Sequence, residues 1–344
     1  MITIYSEQHY KHQPEGELYG GKLVPPFECP ERVEYILKRI EEVALGEVIK
    51  PEAFDKSHFN KIHTEDFLTF LQTCWQEWTT EGFDSQILPT VWPARRQRLI
   101  PPNHIDGKVG YYALAAETAI VEGTWEAARS SAMCALTGAK ILNEGNTSAF
   151  ALCRPPGHHA AKDMYGGYCF LNNAAIAAQY MLDQDAKRIA ILDPDFHHGN
   201  GTQDIFYDRS DVFYFSLHGD PKDAFPHFLG YADETGEGDG EGFNANYPMP
   251  PNTPFSVWGD AMADALKRIG EYAPNALIVS LGVDAFESDP ISFFKLTSDD
   301  FTTYGGMIGK LNIPTLFVME GGYAVEEVGI NTVNVLQGFE GSIS

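Results

Sequence analysis

Short apolar runs alternate with longer amphipathic segments along the chain, and this alternation limits the fold more than any other feature of the sequence. The runs are rich in β-branched residues, which is typical of buried parallel strands; they cover residues 148–152, 188–192, 212–217, 276–281 and 314–319. The segments between them have helical periodicity, at residues 123–143, 172–185, 257–272 and 298–311. The pattern therefore predicts an α/β fold with a central parallel sheet flanked by helices.

The length of the chain is compatible with one domain or with two. The chain has 344 residues, of which 44% are hydrophobic, and α/β enzymes often run this long around one sheet. Two stretches interrupt the pattern and are predicted as loops: residues 13–30, rich in Gly, Pro and Glu, and the proline-rich residues 88–106. Long ordered loops are usually functional or interfacial, so we interpret the proline-rich stretch as part of an insertion loop at about residues 80–108. We therefore expect a single domain at residues 1–344 that carries this insertion.

The sequence is strongly acidic. It has 24 Lys and Arg against 48 Asp and Glu, a formal net charge of −24. Such a surface repels nucleic acid and anionic lipid, so we expect neither nucleic acid nor a membrane as a partner. It permits a cationic substrate, although acidic residues also serve simply to keep proteins soluble.

The cysteines and the first residues are typical of a cytoplasmic protein. The five cysteines are scattered and form no CxxC pair, which predicts reduced core residues rather than a thiolate zinc site. Residues 1–5 have a short strand pattern without the features of a signal peptide. No apolar run approaches the roughly 20 residues that a membrane-spanning helix needs.

Polar motifs follow the central strands directly. They read Arg-Pro-Pro-Gly-His-His at residues 154–159, Asp-Pro-Asp-Phe-His-His-Gly-Asn-Gly at 193–201, Gly-Val-Asp at 282–284 and Glu-Gly-Gly-Tyr at 320–323. In open parallel sheets, ligands bind at the carboxyl ends of the strands. These strand ends can therefore build one site.

Three residues of these motifs form a candidate metal site. Asp195 and His197 are two positions apart, which places both side chains on one side of an extended segment, and Asp284 leaves another strand. Oxygen and nitrogen ligands from three residues suit catalytic zinc, which keeps a fourth position open. A single Asp at a strand end is more often a turn former or a helix cap, but the tandem histidines at 158–159 and 197–198 favour a site.

Taken together, the motifs resemble the signatures of the histone deacetylase family, whose fold is that of arginase. The resemblance covers roughly residues 17–338. Within that family the sequence is most similar to the bacterial acetylpolyamine amidohydrolases, through residues 17–28, the proline-rich insertion before Asp106, residues 166–173 and residues 218–228. Pro194 departs from the family, which usually has an aliphatic residue there; because proline is disfavoured within a central strand, we expect the strand to end at or before it.

The resemblance implies two metal sites. Asp195, His197 and Asp284 would bind one catalytic Zn²⁺, and the same ligands also accept iron or cobalt. A structural K⁺ site would lie beneath the zinc, formed by Asp193, Asp195, His197, Ser216 and Leu217.

The resemblance also implies the catalytic groups. His158 and His159 would act as acid and base, with Asp193 as the partner of His158 and Asn200 as the partner of His159. A carboxylate favours imidazolium more strongly than an amide does, so we expect the two pKa values to be pushed apart and His159 to transfer the proton. Tyr323 would donate a hydrogen bond to the carbonyl oxygen as it becomes an oxyanion.

The substrate would occupy a narrow channel. Tyr168 and Phe225 would form its aromatic walls, and the carbonyl of Gly167 would accept the substrate amide proton. Ile291 stands where eukaryotic polyamine deacetylases carry a discriminating Glu, so selectivity would arise differently here. The other substrate-binding residues are expected to be Glu17, Tyr19, Phe27, Asp106 and Glu117. The carboxylates of Glu17, Asp106 and Glu117 would bind cationic amines.

In the bacterial subfamily, the proline-rich insertion pairs two subunits and narrows the mouth of each channel. The resemblance therefore implies a homodimer. The matching segment offers two apolar anchors, Trp92 and Ile100, and three charge partners, Arg95, Arg96 and Arg98.

The reaction that the resemblance implies is zinc-dependent hydrolysis of a small cationic acetylated amine, such as acetylputrescine, acetylcadaverine or acetylspermidine, to free amine and acetate. One alternative keeps the chemistry but changes the substrate to a protein or peptide lysine or to another small acylated amine. A noncatalytic protein that binds a metal or an acyl ligand is a second alternative. An arginase-type dinuclear hydrolase is disfavoured, because the sequence offers ligands for one transition metal.

Overall fold

The structure is a computed structural model that describes residues 1–343. Its strands are β1 (Ile2–Ile4), β2 (Glu17–Tyr19), β3 (Lys22–Val24), β4 (Val48–Ile49), β5 (Ser148–Ala151), β6 (Ile189–Asp193), β7 (Val212–Gly219), β8 (Asn244–Met249), β9 (Ala276–Leu281) and β10 (Thr315–Met319). Its α-helices are α1 (Glu31–Glu42), α2 (Ser57–Asn60), α3 (Glu65–Thr80), α4 (Ile105–Tyr112), α5 (Thr124–Asn143), α6 (Asn173–Asp183), α7 (Asn200–Phe206), α8 (Phe255–Tyr272), α9 (Ser298–Gly309) and α10 (Val325–Glu340).

A parallel sheet forms the centre of the molecule, which confirms the predicted fold class. Its eight strands lie in the order β4-β1-β5-β10-β9-β6-β7-β8, and every neighbouring pair is parallel. The central strands β5, β6, β9 and β10 are buried along their whole length, as a sheet covered on both faces requires. Helices α5 and α6 pack against each other and against the sheet, and α10 packs against α1 and α9.

The order of the strands positions the candidate site. Strands β5, β10, β9 and β6 are consecutive in the sheet, so the motifs that follow them meet along one edge. Strand β6 ends at Asp193, directly before Pro194, as predicted. The chain leaves the sheet there because proline has no N–H group to donate to a neighbouring strand.

The prediction of a loop at residues 13–30 is wrong, because this stretch contains the antiparallel hairpin β2–β3. Gly20 and Gly21 join its strands with φ values of 57° and 77°. Two consecutive residues with positive φ are what a tight hairpin turn needs, and glycine adopts such values without strain. The second predicted loop, at residues 88–106, is present up to His104, and α4 begins at Ile105.

The apolar pattern does not predict the edge strands β4 and β8 or the helices α1, α3 and α10. Strand β4 has two residues, and β8 carries Asn244 and Asn246, so neither shows an apolar run. All five cysteines are free, as predicted, and four of them are buried. Among residues 1–343, no helix combines the length and the apolar character needed to span a membrane.

Candidate active site

The predicted metal ligands converge beyond the ends of β6 and β9. One ligand atom from each of Asp195, His197 and Asp284 lies within 4.8 Å of the others. The Nδ1 atom of His197 is 2.9 Å from Oδ2 of Asp284 and 3.4 Å from Oδ1 of Asp195. Both carboxylates are fully buried. The side chains therefore form a compact set of one nitrogen and two carboxylate donors.

Main-chain N–H groups hold the two carboxylates in place. Phe196 donates to Oδ1 of Asp284 at 2.6 Å, and Gly321 donates to Oδ2 of Asp195 at 2.9 Å. The backbone passes so close that a Cβ atom on Gly282 would lie 1.9 Å from Oδ2 of Asp195. Position 282 therefore requires glycine.

A divalent cation fits this donor set. Burial and the charge of Asp195 raise the pKa of Asp284 to about 8, because like charges this close disfavour ionisation. A bound divalent ion would offset both carboxylate charges, and carboxylate oxygen with imidazole nitrogen are donors that zinc takes in catalytic sites. Within residues 1–343, one further cluster of this kind is present, formed by His158, Cys169 and Glu320.

His158 is held as a charged group. Its Nδ1 lies 3.1 Å from Oδ2 of Asp193, which also accepts a hydrogen bond from the hydroxyl of Tyr214 at 2.8 Å. Burial lowers the pKa of His158, but the charges of Asp195 and Asp193 and the hydrogen bond that His158 donates to Asp193 outweigh the effect of burial. The pKa therefore lies well above its usual value.

His159 has the opposite character. Its Nδ1 donates to Oδ1 of Asn200 at 2.7 Å, which leaves the lone pair on Nε2. Burial and the nearby His158 and His197 hold the pKa of His159 well below its usual value. The two neighbouring histidines thus differ in pKa in the directions expected from their partners, and the neutral one faces the cavity described below.

Tyr323 lies on the turn between β10 and α10. Its main-chain N–H donates to Oδ2 of Asp289 at 2.7 Å, and the guanidinium of Arg32 lies 5.1 Å from its ring centroid. Its ring contacts that of Tyr168 edge to face at 5.5 Å. Burial raises the pKa of Tyr323 well above its usual value, so the hydroxyl remains a hydrogen-bond donor.

A cavity of about 320 Å³ joins these groups to the surface. At its inner end lie the buried residues His159, His197 and Tyr323. Its walls and mouth include seven further residues predicted from the sequence, Glu17, Tyr19, Glu117, Gly167, Tyr168, Phe225 and Ile291.

Two carboxylates hold the aromatic wall of this cavity. Oε1 of Glu17 accepts a hydrogen bond from the hydroxyl of Tyr168 at 2.9 Å, and Oε2 accepts one from the N–H of Phe27 at 3.0 Å. Oε1 of Glu117 accepts from the N–H of Gly167 at 2.9 Å. Burial raises the pKa of Glu17 to about 7, although both of its hydrogen bonds favour the charged form. Tyr168 has a φ of 65°, a strained value that these contacts help to maintain.

Two predicted substrate-binding residues lie outside the cavity lining of the single chain. Asp106 accepts a hydrogen bond from the hydroxyl of Thr90 at 3.1 Å. Phe27 contributes its main-chain N–H to Glu17 and packs its ring on Tyr19 with centroids 5.2 Å apart. In the insertion, Trp92 packs partly against the core, whereas the remaining predicted contact residues are exposed, namely Arg95, Arg96, Arg98 and Ile100.

The residues predicted for potassium lie at and just beyond the end of β6 and within β7. Asp193 and Ser216 are partners in the register of these strands, and Leu217 follows Ser216. The hydroxyl of Ser216 lies 2.7 Å from Nδ1 of His218 and 3.2 Å from Nδ1 of His198. Carboxylate, hydroxyl and carbonyl oxygens are donors suited to a hard cation such as K⁺.

Sequence reasoning misses two acidic residues that contact this site. Glu320 accepts hydrogen bonds from the N–H groups of Gly157 and His158, at 2.6 Å and 3.1 Å. Asp289 accepts from the N–H group of Tyr323. Glu320 could have been noticed because it directly follows a central strand, whereas Asp289 sits in an ordinary Asp-Pro turn and carries no distinguishing signal.

Comparisons with known proteins find relatives that are similar to this chain in sequence and in fold. The histone deacetylase domain model matches residues 26–339. The acetylpolyamine amidohydrolase of Mycoplana ramosa is 56% identical over 341 residues, which covers 99% of this chain and 100% of the relative. Acetylpolyamine amidohydrolase 2 of Pseudomonas aeruginosa is 55% identical, with 99% of each chain covered. The crystal structure of the acetylpolyamine aminohydrolase from Burkholderia pseudomallei matches with a TM-score of 0.95 at 36% identity, over 100% of both chains.

Proposed function

The chain belongs to the histone deacetylase family, and from this premise we propose that it hydrolyses acetylated polyamines to acetate and the free amine. The observation that carries the proposal is the cavity, which has His197 of the metal donor set, a neutral histidine and a tyrosine at its inner end and the carboxylates of Glu17 and Glu117 in its walls. A slim cationic chain that ends in an acetamide matches this distribution of groups. The names of the full-length relatives support the same substrate class.

Asp195, His197 and Asp284 would hold the metal, for which we propose zinc. When bound, Zn²⁺ would act as a Lewis acid toward the acetyl carbonyl and lower the pKa of water. Because the same donors accept iron or cobalt, metal analysis of the protein isolated from its host decides the native ion. We further propose that Asp193, Asp195, His197, Ser216 and Leu217 hold a structural K⁺.

We assign the proton transfers to His159. Its Nε2 would take a proton from the attacking water and deliver it to the nitrogen of the leaving amine, while Asn200 keeps the other proton on Nδ1. The depressed pKa of His159 keeps Nε2 free to accept that proton at neutral pH. His158 would remain charged beside Asp193 and would stabilise negative charge developing on the substrate.

The remaining cavity residues would stabilise and orient the substrate. The Tyr323 hydroxyl would donate to the carbonyl oxygen as it gains negative charge. Tyr168 and Phe225 would pack against the methylene chain, and the carbonyl of Gly167 would accept the amide N–H. Glu17 and Glu117 would attract the cationic amines of the substrate through their charge.

We also propose that residues 1–344 form one domain, which the continuous eight-stranded sheet supports, and that two copies pair through the insertion at about residues 80–108. Leu99 is 74% exposed and Ile100 is 53% exposed, so apolar surface is available there. A partner seated on this segment would narrow the cavity mouth. Sedimentation of the purified protein tests the pairing, since a monomer at micromolar concentration would contradict it.

The deciding experiment is steady-state turnover by the zinc-loaded protein. Acetylputrescine, acetylcadaverine and acetylspermidine are compared with an acetyllysine peptide. We expect kcat/KM to be at least about tenfold higher for the polyamines, a difference of roughly 1.4 kcal/mol in transition-state binding. A preference for the peptide would identify a lysine deacetylase with an open channel mouth. Absence of turnover on all four would contradict the proposed chemistry.

A further inference from the structure

Glu320 is a buried acidic residue to which the proposed mechanism gives no role. It directly follows β10, and its side chain is fully buried. Oε2 accepts hydrogen bonds from the N–H groups of Gly157 at 2.6 Å and His158 at 3.1 Å, whereas Oε1 is buried without a hydrogen-bond partner. Both hydrogen bonds of the Glu320 carboxylate are therefore accepted by Oε2.

These two N–H groups occupy a special position in the chain. Pro155 and Pro156 precede them and have no N–H to donate. Gly157 and His158 thus carry the first main-chain donors after the two prolines, in the part of the segment that bears the tandem histidines. A carboxylate that takes two successive N–H groups holds both peptide units at once. The main chain of His158 is thereby fixed from the neighbouring strand β10.

The segment that begins at Glu320 also contacts the other functional groups. The N–H of Gly321 donates to Oδ2 of Asp195, and Tyr323 follows two residues later. The carboxylate of Glu320 therefore joins the histidine segment to the segment that carries the tyrosine and contacts a metal ligand. Moving a catalytic group by about 1 Å can cost roughly 100-fold in rate, so this connection matters for catalysis.

We propose that Glu320 is a positioning residue, whose carboxylate sets the place of the tandem histidines relative to Tyr323 by accepting the main-chain N–H groups of Gly157 and His158. The expected change in kcat rests on the proposed function. The protection of the two N–H groups against hydrogen exchange does not depend on turnover. The proposal attributes the contribution of Glu320 to kcat to hydrogen-bond acceptance at Oε2 and not to the negative charge of the carboxylate.

Three substitutions of Glu320 separate the effect of hydrogen-bond acceptance from the effect of negative charge. Glu320→Gln keeps an oxygen for both N–H groups, and its NH₂ group replaces Oε1, which accepts no hydrogen bond. Glu320→Asp withdraws the carboxylate by one methylene but keeps the charge, and Glu320→Ala removes the acceptor. Met319→Ala is the control for lost stability, because Met319 is buried beside Glu320 and its sulfur faces Thr332 on α10.

The readouts are kcat and KM for acetylputrescine, metal content, and hydrogen exchange of the amides in residues 154–160. For the Asp and Ala variants we expect kcat to fall about 100-fold with KM within twofold, unchanged metal content and faster exchange at Gly157 and His158. The Gln variant should stay within about threefold of the wild type in kcat. Met319→Ala should lower Tm and leave kcat unchanged.

Two results would overturn the proposal. If Glu320→Gln loses as much kcat as Glu320→Ala, the charge is responsible and not the hydrogen bonds. If the Asp and Ala variants keep kcat or keep their amides protected, Glu320 does not position the segment. If the wild type turns over no acetylated amine, the proposed function fails, and the exchange data alone decide whether Glu320 holds these N–H groups. Should the Ala variant not fold, the Asp and Gln pair gives the same decision.

Discussion

The inner end and the mouth of the cavity are built in different ways. At the inner end, Asp195 and Asp284 are fully buried, follow strands of one continuous sheet and accept hydrogen bonds from main-chain N–H groups. The mouth is formed by the β2–β3 hairpin and by loops, where Tyr19 is 51% exposed. The sheet therefore fixes the groups proposed for chemistry, whereas a hairpin and loops form the part of the cavity proposed to select the substrate. If this division holds, substitutions at the inner end should change kcat and those at the mouth should change KM.

The largest expected effect comes from a metal ligand. Asp284→Asn keeps an oxygen for the N–H of Phe196 but removes one of the two charges that face the ion. We expect bound zinc to be lost and kcat/KM to fall by about 10⁴-fold, because Lewis-acid stabilisation is worth several kcal/mol. Elemental analysis and steady-state kinetics check this result. The same change at the exposed Asp55, Asp55→Asn, is the matched control and should have no effect on either quantity. Full metal content with full activity in Asp284→Asn would argue against this ligand set.

A smaller effect is expected for the proposed oxyanion donor. Tyr323→Phe removes a hydroxyl but keeps the ring contacts with Tyr168 and Arg32. Loss of one such donor typically costs about 10²–10³-fold in kcat, so kcat should fall by that factor while KM and metal content change little. Kinetics on acetylputrescine test the expectation. A rise in KM with unchanged kcat would place Tyr323 with the mouth residues and would contradict the division of roles between the inner end and the mouth.

The same division explains which parts were predictable from sequence. Each buried central strand is a mainly apolar run, so its end and the following motif are visible without a structure. The sheet order then places those motifs side by side. Asp195, His197 and Asp284 could therefore be proposed together as ligands, although they come from two different strand ends.

The mouth could not be predicted in the same way. The contact between Glu17 and Tyr168 joins residues 151 positions apart, and it depends on how the hairpin packs on the segment that follows β5. The hairpin itself lacks an apolar run because its residues are largely exposed, so its Gly-Gly turn resembles an ordinary loop. Asp289 shows a similar limit, since only the folded structure brings it to the N–H of Tyr323.

The smallest expected effect tests the mouth through pH. Because burial raises the pKa of Glu17 to about 7, the carboxyl is mostly neutral at pH 6 and mostly charged at pH 8, and its ionised fraction rises roughly tenfold between them. Aliphatic amines with a pKa near that of lysine keep their charge throughout this range. KM for acetylputrescine should therefore fall by up to about tenfold as pH rises from 6 to 8.

The variant Glu17→Gln should remove this pH dependence. Its amide can still accept from the N–H of Phe27 and donate to the hydroxyl of Tyr168, so the aromatic wall should stay in place. N-butylacetamide has no amine to recognise and serves as the matched substrate, for which KM should be independent of pH and of the substitution. An equal pH dependence for both substrates, or a loss of kcat in Glu17→Gln, would mean that Glu17 acts on the inner end through Tyr168 and does not recognise charge at the mouth.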